Sequence, residues 1–138
     1  MTIGAGAVPL ILAVAPNGAR KTKADHPALP MQADEIGRAA AACREAGAVM
    51  IHLHVRTSQG THTLDAELYR EATAAVRREA GPDFIVQVTS ESVGLYTPDQ
   101  QRAMVKSVRP EAVSPAIREL CATPEDELEF AAFTESVP

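Results

Sequence analysis

A chain of 138 residues, 46% of them hydrophobic and 22% charged, has the size and apolar content of one ordinary domain with its own core. Its formal net charge of -5 and the lack of any Lys/Arg stripe exclude a nucleic-acid or anionic-membrane surface. The longest apolar stretch, Val8 to Ala15, is far shorter than the roughly 20 residues of a membrane span and lacks the basic start of a signal peptide. Cys43 and Cys121 have no paired spacing of a zinc knuckle or redox motif, so they read as two reduced, buried thiols in a cytoplasmic protein.

Pro9 to Ala15 is a run of Leu, Ile, Ala and Val without polar alternation, the pattern of a parallel strand covered on both faces. Asn17-Gly18 ends it, and Ala19 to Pro30 reads as a long polar loop. Apolar residues at Ile36, Ala39, Ala40 and Cys43 predict a first helix over Ala33 to Ala46, with Gly47 at its C-terminal cap. Ala48 to Val55 predicts a second strand, closed by the break at Ser58-Gln59-Gly60. Asp65 caps a second helix whose core face is Leu68, Ala72, Ala75 and Val76, stopped at Gly81-Pro82. Phe84 to Val88 is the third strand. Thr97-Pro98-Asp99-Gln100 starts the third helix with a capping threonine, a proline at the first helical position and a glutamine able to bond back. Ala112 to Ser114 is a short fourth strand, and Thr123-Pro124-Glu125-Asp126 repeats the capping pattern ahead of a helix through Leu128, Phe130, Ala131 and Phe133. Strand and helix alternate four times, which fits either an open doubly wound sheet or one part of a closed α/β barrel.

Residues two apart in a strand share a face, so His52 and His54 project together while Ile51, Leu53 and Val55 face the helices. Two imidazoles at this spacing can bind one divalent ion, and burying such a pair in an apolar strand is otherwise costly. Two structural histidines bonded to backbone are the alternative. Gln87 and Thr89 on the third strand and Ser114 on the fourth belong to the same face, with Val86, Val88 and Val113 opposite. They lie near the C-terminal strand ends, where barrels and open α/β sheets place their sites. Small Ala13 and Ala15 leave room for a ligand. His26 and His62 read as solvated loop side chains. Arg20, Lys21 and Lys23 could meet an anionic substrate or thioester but read more simply as a solvated loop. Asn17-Gly18-Ala19 has one glycine where a dinucleotide fingerprint needs three, and there is no nucleophile elbow.

Several segments together resemble the β-keto acid cleavage enzymes, typified by 3-keto-5-aminohexanoate cleavage enzyme. They are Pro16-Asn17-Gly18-Ala19, Thr22-Lys23, His26-Pro27-Ala28-Leu29-Pro30, Ala46-Gly47-Ala48 leading to Ile51-His52-Leu53-His54-Val55-Arg56, Gln87 to Ser90, and Arg109-Pro110-Glu111. The resemblance implies four βα units forming the N-terminal half of a zinc-containing (β/α)8 TIM barrel. It also implies an acyl transfer between a β-keto acid and acetyl-CoA that gives acetoacetate and a new CoA thioester. His52 and His54 match the zinc histidines, and Thr89 and Ser114 match hydroxyls that contact the keto acid. Asn17, Arg20 and Ser90 complete the expected substrate-binding set. Arg20 stands where members taking the amino-bearing substrate place an acid, which implies a substrate without an ammonium group, one with an extra carboxylate. Glu91 and Ser92 replace small glycines of the family pattern.

A full barrel takes about 250 residues, so the resemblance places the third zinc ligand, a glutamate, and the catalytic aspartate and arginine beyond Pro138. None of the catalytic residues is expected within this chain. Open sheet edges and exposed interior side chains are then expected to drive pairing with another copy or with a missing C-terminal half. Competing readings are an amidohydrolase-type metal-dependent hydrolase, which carries its His-x-His after the first strand rather than the second, and a non-catalytic half-barrel.

Overall fold

The computed structural model describes residues 10–137. The chain runs β1 (Ala13–Val14), α1 (Ala33–Glu45), β2 (Met50–Leu53), β3 (Val55–Arg56), β4 (His62–Thr63), α2 (Ala66–Ala80), β5 (Ile85–Thr89), α3 (Pro98–Val108), β6 (Ala112–Ser114), α4 (Ile117–Leu120) and α5 (Asp126–Ser136). Strands β1, β2, β5 and β6 form one sheet in that order, every neighbouring pair parallel. The alternating α/β architecture expected from the sequence is therefore present. No helix among the described residues is long and apolar enough to cross a membrane.

One face of the sheet makes the core. Ile51, Leu53, Val86 and Val88 are each at most 2% exposed and pack with Ile36 and Ala40 of α1, Tyr69, Ala72 and Val76 of α2, and Met104 and Val105 of α3. Burying an aliphatic side chain of this size stabilises by about 1.5–3 kcal/mol, so the alternation of strand side chains decides which face carries the helices. The first strand is shorter than the apolar run suggested. Leu10, Ile11 and Leu12 are 86%, 71% and 45% exposed and lie ahead of the paired residues, and Pro9 is outside the described residues.

The helix ends follow their chemistry. Asp65 Oδ1 accepts the backbone N–H groups of Glu67 and Leu68 at 2.8 and 3.3 Å, and Gly81 follows α2 with φ of +96°. Thr97 and Gln100 bond reciprocally, each side chain accepting the other's backbone N–H, with Pro98 at the first helical position. At α1, Glu35 accepts N–H groups from Met31 and Gln32 and is paired with Lys23. The Lys23 ammonium first, and those two N–H groups next, hold its carboxyl down at about 2. A carboxyl lowered in the fold stabilises fully above its ordinary value of 4.5 and loses that contribution as the pH falls through about 2. Glu35→Ala is expected to cost about 1 kcal/mol in urea denaturation at neutral pH. The gap should close in acid, and an equal gap at both pH values would exclude the ionised carboxylate as its source.

Four expectations need correction. The second strand does not continue through Val55: the sheet pairing stops at Leu53, and Val55–Arg56 instead pairs antiparallel with His62–Thr63, Arg56 opposite His62. The Ser58-Gln59-Gly60 break is the turn of that hairpin, with Thr57 N–H donating to the Thr61 carbonyl at 2.9 Å. Helix α5 starts at Asp126, because Asp126 N–H reaches the Thr123 carbonyl in a turn and its carboxylate accepts from Thr123 N–H. Of its expected core face only Phe133 is buried, while Leu128 is 81% exposed; five residues apart on a helix is a rotation of roughly 140°, so the two cannot share a face. Cys43 and Cys121 are free but only half-buried.

Candidate metal and substrate site

The other face of the sheet, at the C-terminal strand ends, gathers the polar residues. His52 lies opposite Gln87 across β2 and β5, and Thr89 opposite Ser114 across β5 and β6, as the alternation predicted. His52 and His54 have ring centroids 5.0 Å apart, edge to face. His52 Nδ1–H donates to Gln87 Oε1 at 2.8 Å, which leaves Nε2 as a lone pair directed away from that bond. His54 is buried at 3% exposure and its Nδ1 has no partner. Burial, then the charges of His52, His62 and Arg56, push its pKa down to about 3, so the ring is neutral, the form a metal requires.

The pair therefore fits as two nitrogen donors of a metal site. Among the described residues no group of three or more His, Cys, Asp or Glu side chains is gathered closely enough to hold an ion by itself. A zinc site normally draws on at least three protein ligands, one more than this pair offers.

His62, expected as a solvated loop side chain, is 3% exposed with its ring centroid 5.6 Å from that of His54. Its Nε2–H donates to the Glu91 carbonyl at 2.7 Å, and its Nδ1 is buried without a partner. The hairpin explains the difference. Residues directly opposite in an antiparallel pair project to one side, so β4 carries His62 in beside Arg56. Only the β-branched Thr61 and Thr63 on either side of His62 hinted at a returning strand. His26 is exposed, as read.

Arg56 entered the sequence reading only as the last residue of the His-Leu-His-Val-Arg motif, with no role of its own, yet it is 3% exposed, donating to the carbonyls of Gly18 and Val55. Asn17 Nδ2 donates to the His54 carbonyl at 2.9 Å. These two side chains fasten the loop after β1 to the end of β2. Thr89 Oγ1 accepts Glu91 N–H at 3.1 Å and Ser90 Oγ accepts Ala116 N–H at 2.9 Å, so each hydroxyl keeps its own proton to donate. Ser90 is fully buried and ties the exits of β5 and β6 together, while Ser114 is half-buried. Tyr69 OH donates to the Thr89 carbonyl at 3.2 Å, and burial pushes its phenol pKa up.

Arg20 lies at the rim, exposed, 3.3 Å from Glu91. Lys21 and Lys23 are engaged by Asp25 and Glu35, so the basic loop is braced locally. Glu119 of α4, an element not anticipated from the sequence, accepts Ser92 N–H at 2.7 Å and Gln101 Nε2–H at 2.6 Å, holding the loop after β5. A groove of about 340 Å³ lined by Arg70, Arg77, Val86, Val108 and Arg109 lies between α2 and α3 on the helix side of the sheet, away from the histidines.

Residues 9–135 match the family described as beta-keto acid cleavage enzyme. The chain is 41% identical over 103 residues to a 3-keto-5-aminohexanoate cleavage enzyme of Fusobacterium nucleatum, a match covering 74% of this chain and 37% of that protein. It is 39% identical over 106 residues to the enzyme of the same name from Acetoanaerobium sticklandii, covering 76% and 38% respectively. A 3-oxoadipate:acetyl-CoA acetyltransferase of Cupriavidus necator is 32% identical over 106 residues, covering 77% and 36%. The matched segment thus spans well under half the length of each of these relatives. With a family match across nearly all its residues, this chain belongs to the beta-keto acid cleavage enzyme family.

Proposed function

We propose that the chain supplies the metal-binding side of a zinc-dependent β-keto acid cleavage site, in which a β-keto acid and acetyl-CoA are exchanged for acetoacetate and a new CoA thioester. The observation that carries this reading is the pairing of His52 with the buried, neutral His54 at the C-terminal end of β2, with Gln87 orienting the first. Family membership and a relative named as an acetyl-CoA acetyltransferase support the acyl transfer. When bound, zinc supplies Lewis-acid polarisation of the keto oxygen.

The chain's own residues hold and frame the substrate. The Thr89 and Ser114 hydroxyls, in register across β5 and β6, donate to keto acid oxygens, and Asn17 and Ser90 fix the loops around them. Arg20 at the rim favours a keto acid with a second carboxylate over one with an ammonium group. Four parallel strands with helices on one side support a reading as half of an eight-stranded barrel. β1 and β6 each have one sheet neighbour among the described residues, and Leu10, Ile11 and Leu12 are exposed beside that edge. Further strands close the sheet, and the segment that supplies them brings a third ligand and the proton-transfer groups.

The test is acetoacetate release from zinc-loaded protein assembled with the strands that complete its sheet, given acetyl-CoA and a panel of β-keto acids. Turnover that requires acetyl-CoA and is lost in Thr89→Val and Ser114→Ala is expected, with dicarboxylic keto acids ahead of the amino-bearing one. Preference for the amino-bearing substrate would overturn the role of Arg20. Zinc binding that survives loss of both histidines would overturn the site.

A further inference from the structure

Two buried nitrogens near the metal pair have no partner, and their chemistry is complementary. His62 gives its Nε2–H to the Glu91 carbonyl at 2.7 Å, and since a neutral imidazole has one N–H, its Nδ1 is a lone pair. Burial pushes the pKa of His62 down, which keeps that ring neutral. That Nδ1 is buried and unpartnered, and so is Nδ1 of His54. A buried polar atom left unsatisfied costs about 1–3 kcal/mol, so two such atoms on adjacent rings call for an explanation. The rings stand 5.6 Å apart at their centroids, close enough for a turn of one ring to bring facing nitrogens into hydrogen-bond range.

We propose that His62 is the positioning residue of His54: its Nδ1 accepts the Nδ1–H of His54, as Gln87 Oε1 accepts that of His52, so that both imidazoles present Nε2 to the metal. This rests on the reading of His52 and His54 as the metal pair and adds the residue that fixes the second ligand's tautomer. The symmetry has a physical reason. A ligating histidine needs its other N–H bonded to hold ring orientation and raise basicity, and β2 supplies a cross-strand partner only for His52, through Gln87. His54 lies past the paired part of β2, where the β3–β4 hairpin takes over and brings His62 instead. The Glu91 carbonyl anchors His62 from the loop after β5, so the acceptor is held from two sides.

The test uses the full chain in two readouts. Long-range 15N–1H correlation of the metal-free protein is expected to show His54 as the Nδ1–H tautomer, to show loss of that preference in His62→Leu, and to show its retention in His62→Gln, whose carbonyl oxygen can still accept. Zinc titration is expected to show a 10–100-fold weaker affinity for His62→Leu, with His62→Gln close to the parent. An Nε2–H tautomer of His54 in the unsubstituted protein overturns the proposal without any variant. So does an unchanged tautomer in His62→Leu together with a changed one in Asn17→Ala, which would give the role to Asn17 Oδ1. X-ray absorption of a cobalt-loaded sample with three imidazoles around the ion would make His62 a ligand and likewise overturn it. Zinc binding that His52→Ala and His54→Ala leave intact would defeat the metal reading alone, because the tautomer result is read without metal.

Discussion

His54→Ala is expected to weaken zinc binding by more than about 100-fold, the upper end of what losing even an outer partner of a ligand costs, while leaving the melting temperature nearly unchanged. The two effects part company because His54 is badly placed for stability. It is 3% exposed, neutral, and keeps a buried nitrogen without a partner. Its removal costs at most the one bond proposed to His62, a net of about 0.5–1.5 kcal/mol, and some packing around the ring, against the relief of no longer burying a polar imidazole. Its neighbour on the opposite face behaves inversely. Ile51 is fully buried in the core, and Ile51→Ala should cost about 2–5 kcal/mol with no direct effect on the ligands. Zinc calorimetry and thermal melts on the two variants check both halves of this contrast. A His54→Ala protein that binds zinc like the parent, or that melts as low as Ile51→Ala, would show that the residue is structural.

The same contrast explains what could be read from the chain. His52, His54, Gln87, Thr89 and Ser114 were legible because strand geometry forces residues two apart onto one face, and the apolar residues between them leave no choice of which face is the core. Helices α2 and α3 were legible because Asp65, Thr97, Pro98 and Gln100 carry their capping chemistry locally. The burial of His62 and Arg56 was not legible. Their burial depends on a two-residue antiparallel pairing across a tight turn, and strands that short carry too little pattern to separate from a polar loop. Glu119 escaped for a related reason: α4 is four residues long, and its carboxylate matters only through the N–H of Ser92 and the amide of Gln101, both distant in sequence. Leu128 was misplaced because the apolar residues of α5 are spread around the helix rather than along one stripe. Local rules found the elements and the histidine pair; the contacts that orient the pair are made by long-range folding.

Gly37→Val is expected to destabilise the fold by about 2–3 kcal/mol, a fall on the order of 10 °C in melting temperature. A glycine inside a helix costs about 1 kcal/mol relative to alanine, so its place in α1 needs a reason, and packing supplies one. A Cβ there would lie 2.9 Å from the Ala75 carbonyl oxygen and 2.9 Å from Glu79 Cγ of α2. Glu79 is exposed and can swing aside, but the Ala75 carbonyl belongs to the helix backbone and cannot. Gly37→Ala sets a gain of helix propensity against that one backbone contact, so its net effect should be much smaller than that of valine, whose branched methyls add further overlap. Helices α1 and α2 together cover Ile51 and Leu53, whose alternation holds His52 on the opposite face. If the two helices are forced apart, the loss should appear first in stability and only secondarily in zinc affinity. Valine tolerated at full stability would mean that α1 and α2 do not pack at this distance in solution. Zinc affinity lost at unchanged stability would mean that α1 acts on the site directly, rather than through the core.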